Sequence, residues 1–196
     1  MSWVVFDFGG VIGATTTALP TLAERMGADP ERFAASYWSH RDGYDGGESD
    51  EWFWRVIAND CGVGGLDPDT SVELTELDIA GWLHLRTETT ALLAELDQAG
   101  ARLALLSNAP CSFGRVAEAQ AWARHFQHLV FSGDLGLVKP DARIYAKLTE
   151  RLAARPAECL FFDDRADNVA GAQRAGLRAA RWTGADAARE LLADYL

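Results

Sequence analysis

Four polar spots follow apolar or strand-like stretches of this chain: Asp7 after VVF, Ser107-Asn108 after LALL, Lys139-Pro140 after LVFSGDLGLV, and Asp163-Asp164 after LFF. Together they supply a nucleophilic carboxylate, a hydroxyl with an amide, a fixed cation, and an acidic pair suited to a hard divalent metal. Phosphoryl transfer needs that combination, because three anionic oxygens must be neutralised while a nucleophile approaches phosphorus in line. Asp7 would attack and carry an aspartyl-phosphate. Gly9 and Gly10 remove side chains where backbone must come close to metal and phosphate, and strand-end N–H groups there can form an anion nest. Each spot also has a bland reading. Ser107-Asn108 alone is an ordinary turn and helix cap, Lys139 a solvated loop lysine, and either aspartate of the pair a cap for the helix beginning near Ala166. Only their joint occurrence raises them.

These spots need an architecture that brings strand ends together. Trp3 to Phe6 is a short apolar run closed by Gly9-Gly10, as for a strand covered on both faces. From about residue 91 the pattern alternates. Helix-like TALLAELDQAG, FGRVAEAQAWARHF, DARIYAKLTERLA, ADNVAGAQRAG and AARELLADYL interleave with strand-like ARLALLSN, HLVFSGD, ECLFFDD and LRAARW. Repeated β-α units predict an α/β fold with a doubly wound parallel sheet and right-handed crossovers, whose ligands bind at the carboxyl ends of strands. Residues 14–88 break the rhythm. Asp29-Pro30 and Ser49-Asp50-Glu51 cap two helices of a small bundle, with GYDGGES and GVGGLDPD as loops. The expected organisation is a core of 1–13 and 89–196 with a helical insertion at 14–88.

The 196 residues are 48% hydrophobic, enough for a sizeable core. With 18 basic against 29 acidic residues the formal charge is -11, which disfavours nucleic acid and anionic membranes as partners. The odd, scattered Cys61, Cys111 and Cys159 suggest neither a disulfide framework nor a zinc site, and are expected as small core groups. No apolar run reaches membrane-spanning length and the N-terminus reads straight into a strand, so a cytoplasmic setting is expected. Trp38, Trp52, Trp54 and Trp82 are expected mostly in the bundle core, with one or two at a substrate entrance. His40, His84, His125 and His128 lack metal-ligand spacing.

In FDFGGV, LLSN, VKPDARIY and FFDDRADNVAGAQRAG, taken in order, the chain resembles the haloacid dehalogenase-like hydrolase superfamily, of the kind with a helical cap inserted after the first motif. The resemblance covers nearly the whole chain. It implies that Asp7, the Gly9 carbonyl and Asp164 hold Mg2+, with Asp163 assisting directly or through water. It also implies that Ser107 and Lys139 grip the phosphoryl oxygens, aided by Gly10 and Asn108, in hydrolysis of a small phosphorylated metabolite.

One departure matters. Active phosphatases of the family carry a second aspartate two places after the nucleophile, the acid for the leaving group and later the base for water, and here that place is Gly9. Such a group is worth roughly a hundred- to ten-thousand-fold in rate. Three readings follow: a phosphatase whose proton comes from elsewhere, for example from Asp45, Glu48 or His40 on the cap, or whose leaving group needs little help; a metal-independent 2-haloacid dehalogenase whose substrate carboxylate meets Arg32 or Arg41; or a non-catalytic binding or regulatory protein. The acidic pair weighs against the dehalogenase, since it repels Asp7 unless a cation lies between them.

Overall fold

The computed structural model describes residues 2–193. Its strands are β1 (Trp3–Phe6), β2 (Arg102–Ser107), β3 (His128–Phe131), β4 (Cys159–Asp163) and β5 (Arg178–Arg181), in the order β3-β2-β1-β4-β5 with every pair parallel. β1 is central, flanked by β2 and β4, so strand order reverses beside Asp7. Period-two alternation divides the inner strands between two cores. Val4, Phe6, Leu103, Leu105, Leu160 and Phe162 face one cluster; Trp3, Val5, Ala104, Leu106, Cys159 and Phe161 face the other. Full burial of each large side chain stabilises by roughly 1.5–3 kcal/mol. The predicted doubly wound α/β sheet is the one observed.

Helices run through the chain as α1 (Leu19–Met26), α2 (Pro30–Asp45), α3 (Asp50–Cys61), α4 (Pro68–Trp82), α5 (Thr87–Gln98), α6 (Cys111–Glu118), α7 (Ser132–Leu135), α8 (Ala142–Arg151), α9 (Ala166–Arg174) and α10 (Ala185–Leu191). Leu92, Leu93 and Leu96 of α5, Phe113 of α6 and Ala188 of α10 cover one sheet face. Ile144, Tyr145 and Leu148 of α8 with Ala172 of α9 cover the other. α1 to α4 enclose their own core of Leu22, Phe33, Tyr37, Phe53, Trp54, Ile57 and Leu74.

The insertion therefore has four helices where two were expected. Hydrophobic periodicity does not mark α4, because Thr70, Thr75, Asp78 and Gly81 share its buried face with Leu74 and Ile79 and polar residues carry much of the helical period. Asp67 nevertheless caps it, accepting from Thr70 N at 2.9 Å. α2 also continues through Gly43-Tyr44-Asp45, part of a predicted loop, which puts Asp45 on a helical turn. The predicted helix over 113–126 ends at Glu118. Gln120 is extended (φ -76°, ψ 149°) before a 3₁₀ turn over 121–125, and this break returns Trp122 to the core at 5.2 Å from the Phe8 ring. Strand β3 stops at Phe131, so Ser132, Gly133 and Asp134 are helical rather than extended. Trp54 is buried, but Trp38 is 46% exposed, and Cys111 is exposed rather than a core thiol. The predicted C-terminal helix reaches positions 194–196, which lie outside the described residues.

α9 approaches the loop carrying Lys139 through Gly171. A Cβ there would stand 2.7 Å from Pro140 Cβ and 2.9 Å from its carbonyl oxygen. Gly171→Ala is expected to cost about 1–3 kcal/mol through overpacking, read as a lowered urea midpoint with an unchanged slope.

Candidate active site

Asp7 leaves the end of β1 with its N–H bonded to Phe162 O at 2.9 Å, which sets it level with the end of β4. Ser107 ends β2, Asp163 ends β4, and Lys139 comes from the loop before α8. Asn108 fixes that loop: its Oδ1 accepts from Lys139 N at 2.8 Å and its Nδ2 donates to Lys139 O at 3.1 Å. The Asn108 amide thus positions the lysine main chain, and Asn108 also lines the cavity above the strand ends.

Lys139 Nζ donates to Asp7 Oδ1 at 2.7 Å, Asp163 Oδ2 at 2.7 Å and Leu106 O at 2.9 Å. An ammonium has three donors, and all are used. Burial alone would lower the Lys139 pKa, yet the two carboxylates raise it above its ordinary value, so the charge persists. Lys139 first serves Asp7 and Asp163; a grip on a phosphoryl oxygen requires exchanging one of these bonds. Asp163 is equally engaged, also accepting from Arg165 N at 2.8 Å and from Asn168 Nδ2 at 3.0–3.1 Å. Ser107 is freer: buried at 2% exposure, it has one long contact, 3.4 Å to Asn108 O.

Asp7, Asp163 and Asp164 each present an oxygen within 4.8 Å of the others. Burial, with Lys139 opposing and Asp163 reinforcing, pushes Asp7 up to about 7. Burial and the neighbouring Asp163 also raise Asp164. A divalent cation relieves both penalties, and oxygen-only donors suit Mg2+. Gly10 leaves the space that such a cation and a phosphate would need. Its φ is +72°, and a Cβ there would lie 2.3 Å from Asp164 Oδ2. The residues present therefore fit Mg2+, with Asp7 and Asp164 the more open carboxylates.

Above the strand ends lies a cavity of about 450 Å³ reached by Asp7, Gly9, Gly10, Ser107, Asn108, Lys139 and Asp164. Trp82 marks the missing second aspartate, because a Cβ on Gly9 would sit 3.5 Å from its indole. α2 brings Asp45 to the same cavity. Ser132, buried at the end of β3, accepts from Ala109 N at 2.9 Å and donates to Asp45 O at 2.5 Å, tying the last turn of α2 to the strand-end loops. Asp45 Oδ1 accepts from Arg41 Nε at 2.9 Å, and burial raises the carboxyl to about 6 despite the guanidinium, with Asp78 adding to the rise. Of the other cap candidates, His40 pairs with Asp60 at 2.8 Å, Arg32 donates to the Asp60 carbonyl, and neither residue lines the cavity; Glu48 does not line it either. Sequence reading passed over Ser132, although its place directly after the strand-like HLVF was a usable signal.

The haloacid dehalogenase-like hydrolase family model matches residues 1–176, and the chain belongs to that family. It is 34% identical to phosphatase MT3486 of Mycobacterium tuberculosis over 129 residues, which is 65% of this chain and 58% of the relative. The chain thus spans little more than half the length of that relative. It is 26% identical to (S)-2-haloacid dehalogenase 1 of a Pseudomonas species over 186 residues, 90% of this chain and 82% of the relative. A crystal structure of a HAD family enzyme from Bacteroides thetaiotaomicron superposes with a TM-score of 0.75 at 18% identity, covering 98% of both chains; it shares the fold.

Lys139→Met leaves two buried carboxylates without their counter-charge, a change worth about 3–5 kcal/mol. Loss of the ammonium drives Asp7 still further above its unfolded pKa, so stability is lost as pH rises through the folded value. Urea unfolding is expected to show a larger deficit at pH 8 than at pH 5.

Proposed function

We propose that the chain is a Mg2+-dependent phosphatase of a small phosphorylated metabolite, working through an aspartyl-phosphate on Asp7 in the cytoplasm. The observation that carries this reading is the Asp7, Asp163 and Asp164 cluster with oxygens within 4.8 Å, whose Asp7 and Asp164 line a cavity together with Ser107 and Lys139. The similarity to a phosphatase adds support. Residues 14–88 form the cap and 1–13 with 89–196 the core in this reading, joined where Gly13 bridges Leu85.

Asp7, Asp164 and the Gly9 carbonyl would hold Mg2+, which when bound would neutralise phosphoryl charge and favour the anionic form of Asp7, whose pKa burial otherwise raises to about 7. Lys139 holds Asp7 Oδ1 and so orients the carboxylate towards phosphorus. The Ser107 hydroxyl and the Gly10 N–H donate to phosphoryl oxygens. Attack by Asp7 forms an oxygen–phosphorus bond as the ester oxygen departs, taking a proton from the Asp45 carboxylic acid. Water then attacks phosphorus, giving its proton to Asp45 and freeing Asp7 and inorganic phosphate. Asp45 in this way does the work that Gly9 cannot.

The Pseudomonas dehalogenase is the relative favouring the second reading. Against it, Arg41 is already paired with Asp45 and with Asp78 at 3.1 Å, and a substrate carboxylate would have to compete with both. Phosphate release from a metabolite ester panel with Mg2+, abolished by chelator and by Asp7→Asn, is the expected result. Blank phosphate assays beside halide release from 2-chloropropionate in chelator would overturn the proposal.

Because Asp45 must be protonated to serve the leaving group, kcat/KM for an alkyl phosphate is expected to fall about tenfold per pH unit above about 6. Asp45→Asn should remove that limb and lower the rate at pH 5.5 by 10²-fold or more. An unchanged limb in the variant would assign it to another group.

A further inference from the structure

The cap side of the cavity has a chemistry of its own. Trp38 of α2, with its side chain partly open, meets Trp82 of α4 edge to face, centroids 6.2 Å apart and planes at 90°. Two indoles at right angles make an apolar corner, with the Trp82 indole 3.5 Å from where a Cβ on Gly9 would stand.

The charges around that corner are unequal. Arg41 is enclosed by the Tyr37, Tyr44 and Trp82 rings at 5.3–5.4 Å, and its donors go to Asp45, Asp78 and the Tyr37 hydroxyl. Asp78 balances that positive charge when Asp45 is protonated, and Asp45 adds a negative charge when it is ionised. Asp42, one turn before Gly46 and exposed, joins Asp45 on the cavity wall and has no ion pair among the described residues. An anionic leaving group is repelled here. A cationic one fares little better, because the Arg41 charge over the Trp82 ring repels a second cation brought to that indole. Arg165 is cationic and reaches the cavity, but from the core loop beside Asp164, whose negative charge it partly offsets.

Resting on the phosphatase reading for the phosphoryl end, we infer that the cap selects phosphate esters of an uncharged, hydroxylated ring, as in a hexose monophosphate. The C–H face of the ring packs into the Trp38–Trp82 corner and its hydroxyls donate to Asp42. This combination meets the usual demands of a small-molecule site, an apolar wall with a few fixed polar groups.

Calorimetric titration of Asp7→Asn with Mg2+ present tests the inference without turnover. The probes are glucose 6-phosphate, phosphoglycolate, phosphocholine and inorganic phosphate. Glucose 6-phosphate is expected to bind at least tenfold more tightly than phosphoglycolate or phosphocholine. In Asp7→Asn/Trp38→Ala its advantage over inorganic phosphate should narrow by about tenfold, and Asp42→Asn in the Asp7→Asn background should narrow the discrimination against phosphoglycolate. Phosphoglycolate or phosphocholine binding as tightly as the hexose ester, or no binding of the hexose ester, overturns the inference. Hexose-ester binding of the expected pattern in a wild-type protein that releases no phosphate overturns only the phosphatase reading. Turnover of para-nitrophenyl phosphate with a preference for phosphoglycolate overturns only the inference.

Discussion

A single ammonium group joins the ends of three strands. Lys139 Nζ reaches Asp7 beyond β1, the Leu106 carbonyl near the end of β2 and Asp163 at the end of β4, all buried. Removing one lysine and two carboxylates from water costs several kcal/mol per ion, and only short, fully satisfied contacts repay it. The contact also leaves a charge imbalance. Asp7, Asp163 and Asp164 set three carboxylates against one ammonium, a residual of two negative charges in a space where ligand oxygens lie within 4.8 Å. A divalent cation closes that imbalance, so the same lysine that makes the strand ends tolerable leaves the cluster prepared for a metal.

Asn108 and Gly171 keep the lysine there. One clamps its main chain from the end of β2; the other lets α9 come against Pro140. Neither touches a reacting atom in the proposed chemistry. Both act by limiting where the Lys139 loop can lie, and the hydrogen bonds from Asn168 to Asp163 extend that restraint into the first turns of α9.

The core half of this arrangement was legible in the sequence because each polar group follows a short apolar strand-like run, and period-two burial makes such runs conspicuous. Asp7, Ser107, Lys139, Asp163 and Asp164 meet at one cavity or at its immediate support. The cap half was less legible. α4 buries threonines and an aspartate, so hydrophobic periodicity could not reveal it, and the glycines in GYDGGES concealed that Asp45 is still helical. The partners of Arg41 lie at Asp45 and Asp78, separations of 4 and 37 residues. The nearer pair is readable as a helical i,i+4 contact; the farther one exists only once α2 and α4 pack. Asn108 shows the opposite limit: its position was evident, but not that its amide would be spent on its neighbour's backbone.

The substitution of glycine at position 9 gains a physical context from Trp82, whose indole borders the volume into which a side chain there would project. An acid on β1's own loop would be positioned by the core whether the cap were open or shut. An acid on α2 is different, because Asp45 is held against the strand ends through its carbonyl and Ser132. Were α2 to lift as part of a cap, that bond would break at a net cost of about 1 kcal/mol, and the carboxyl would move with it. A proton donor on a movable element is in place only when the element is closed over the substrate, which excludes water from Asp7 in the same step. In the proposed mechanism, moving the acid from core to cap would couple proton transfer to closure.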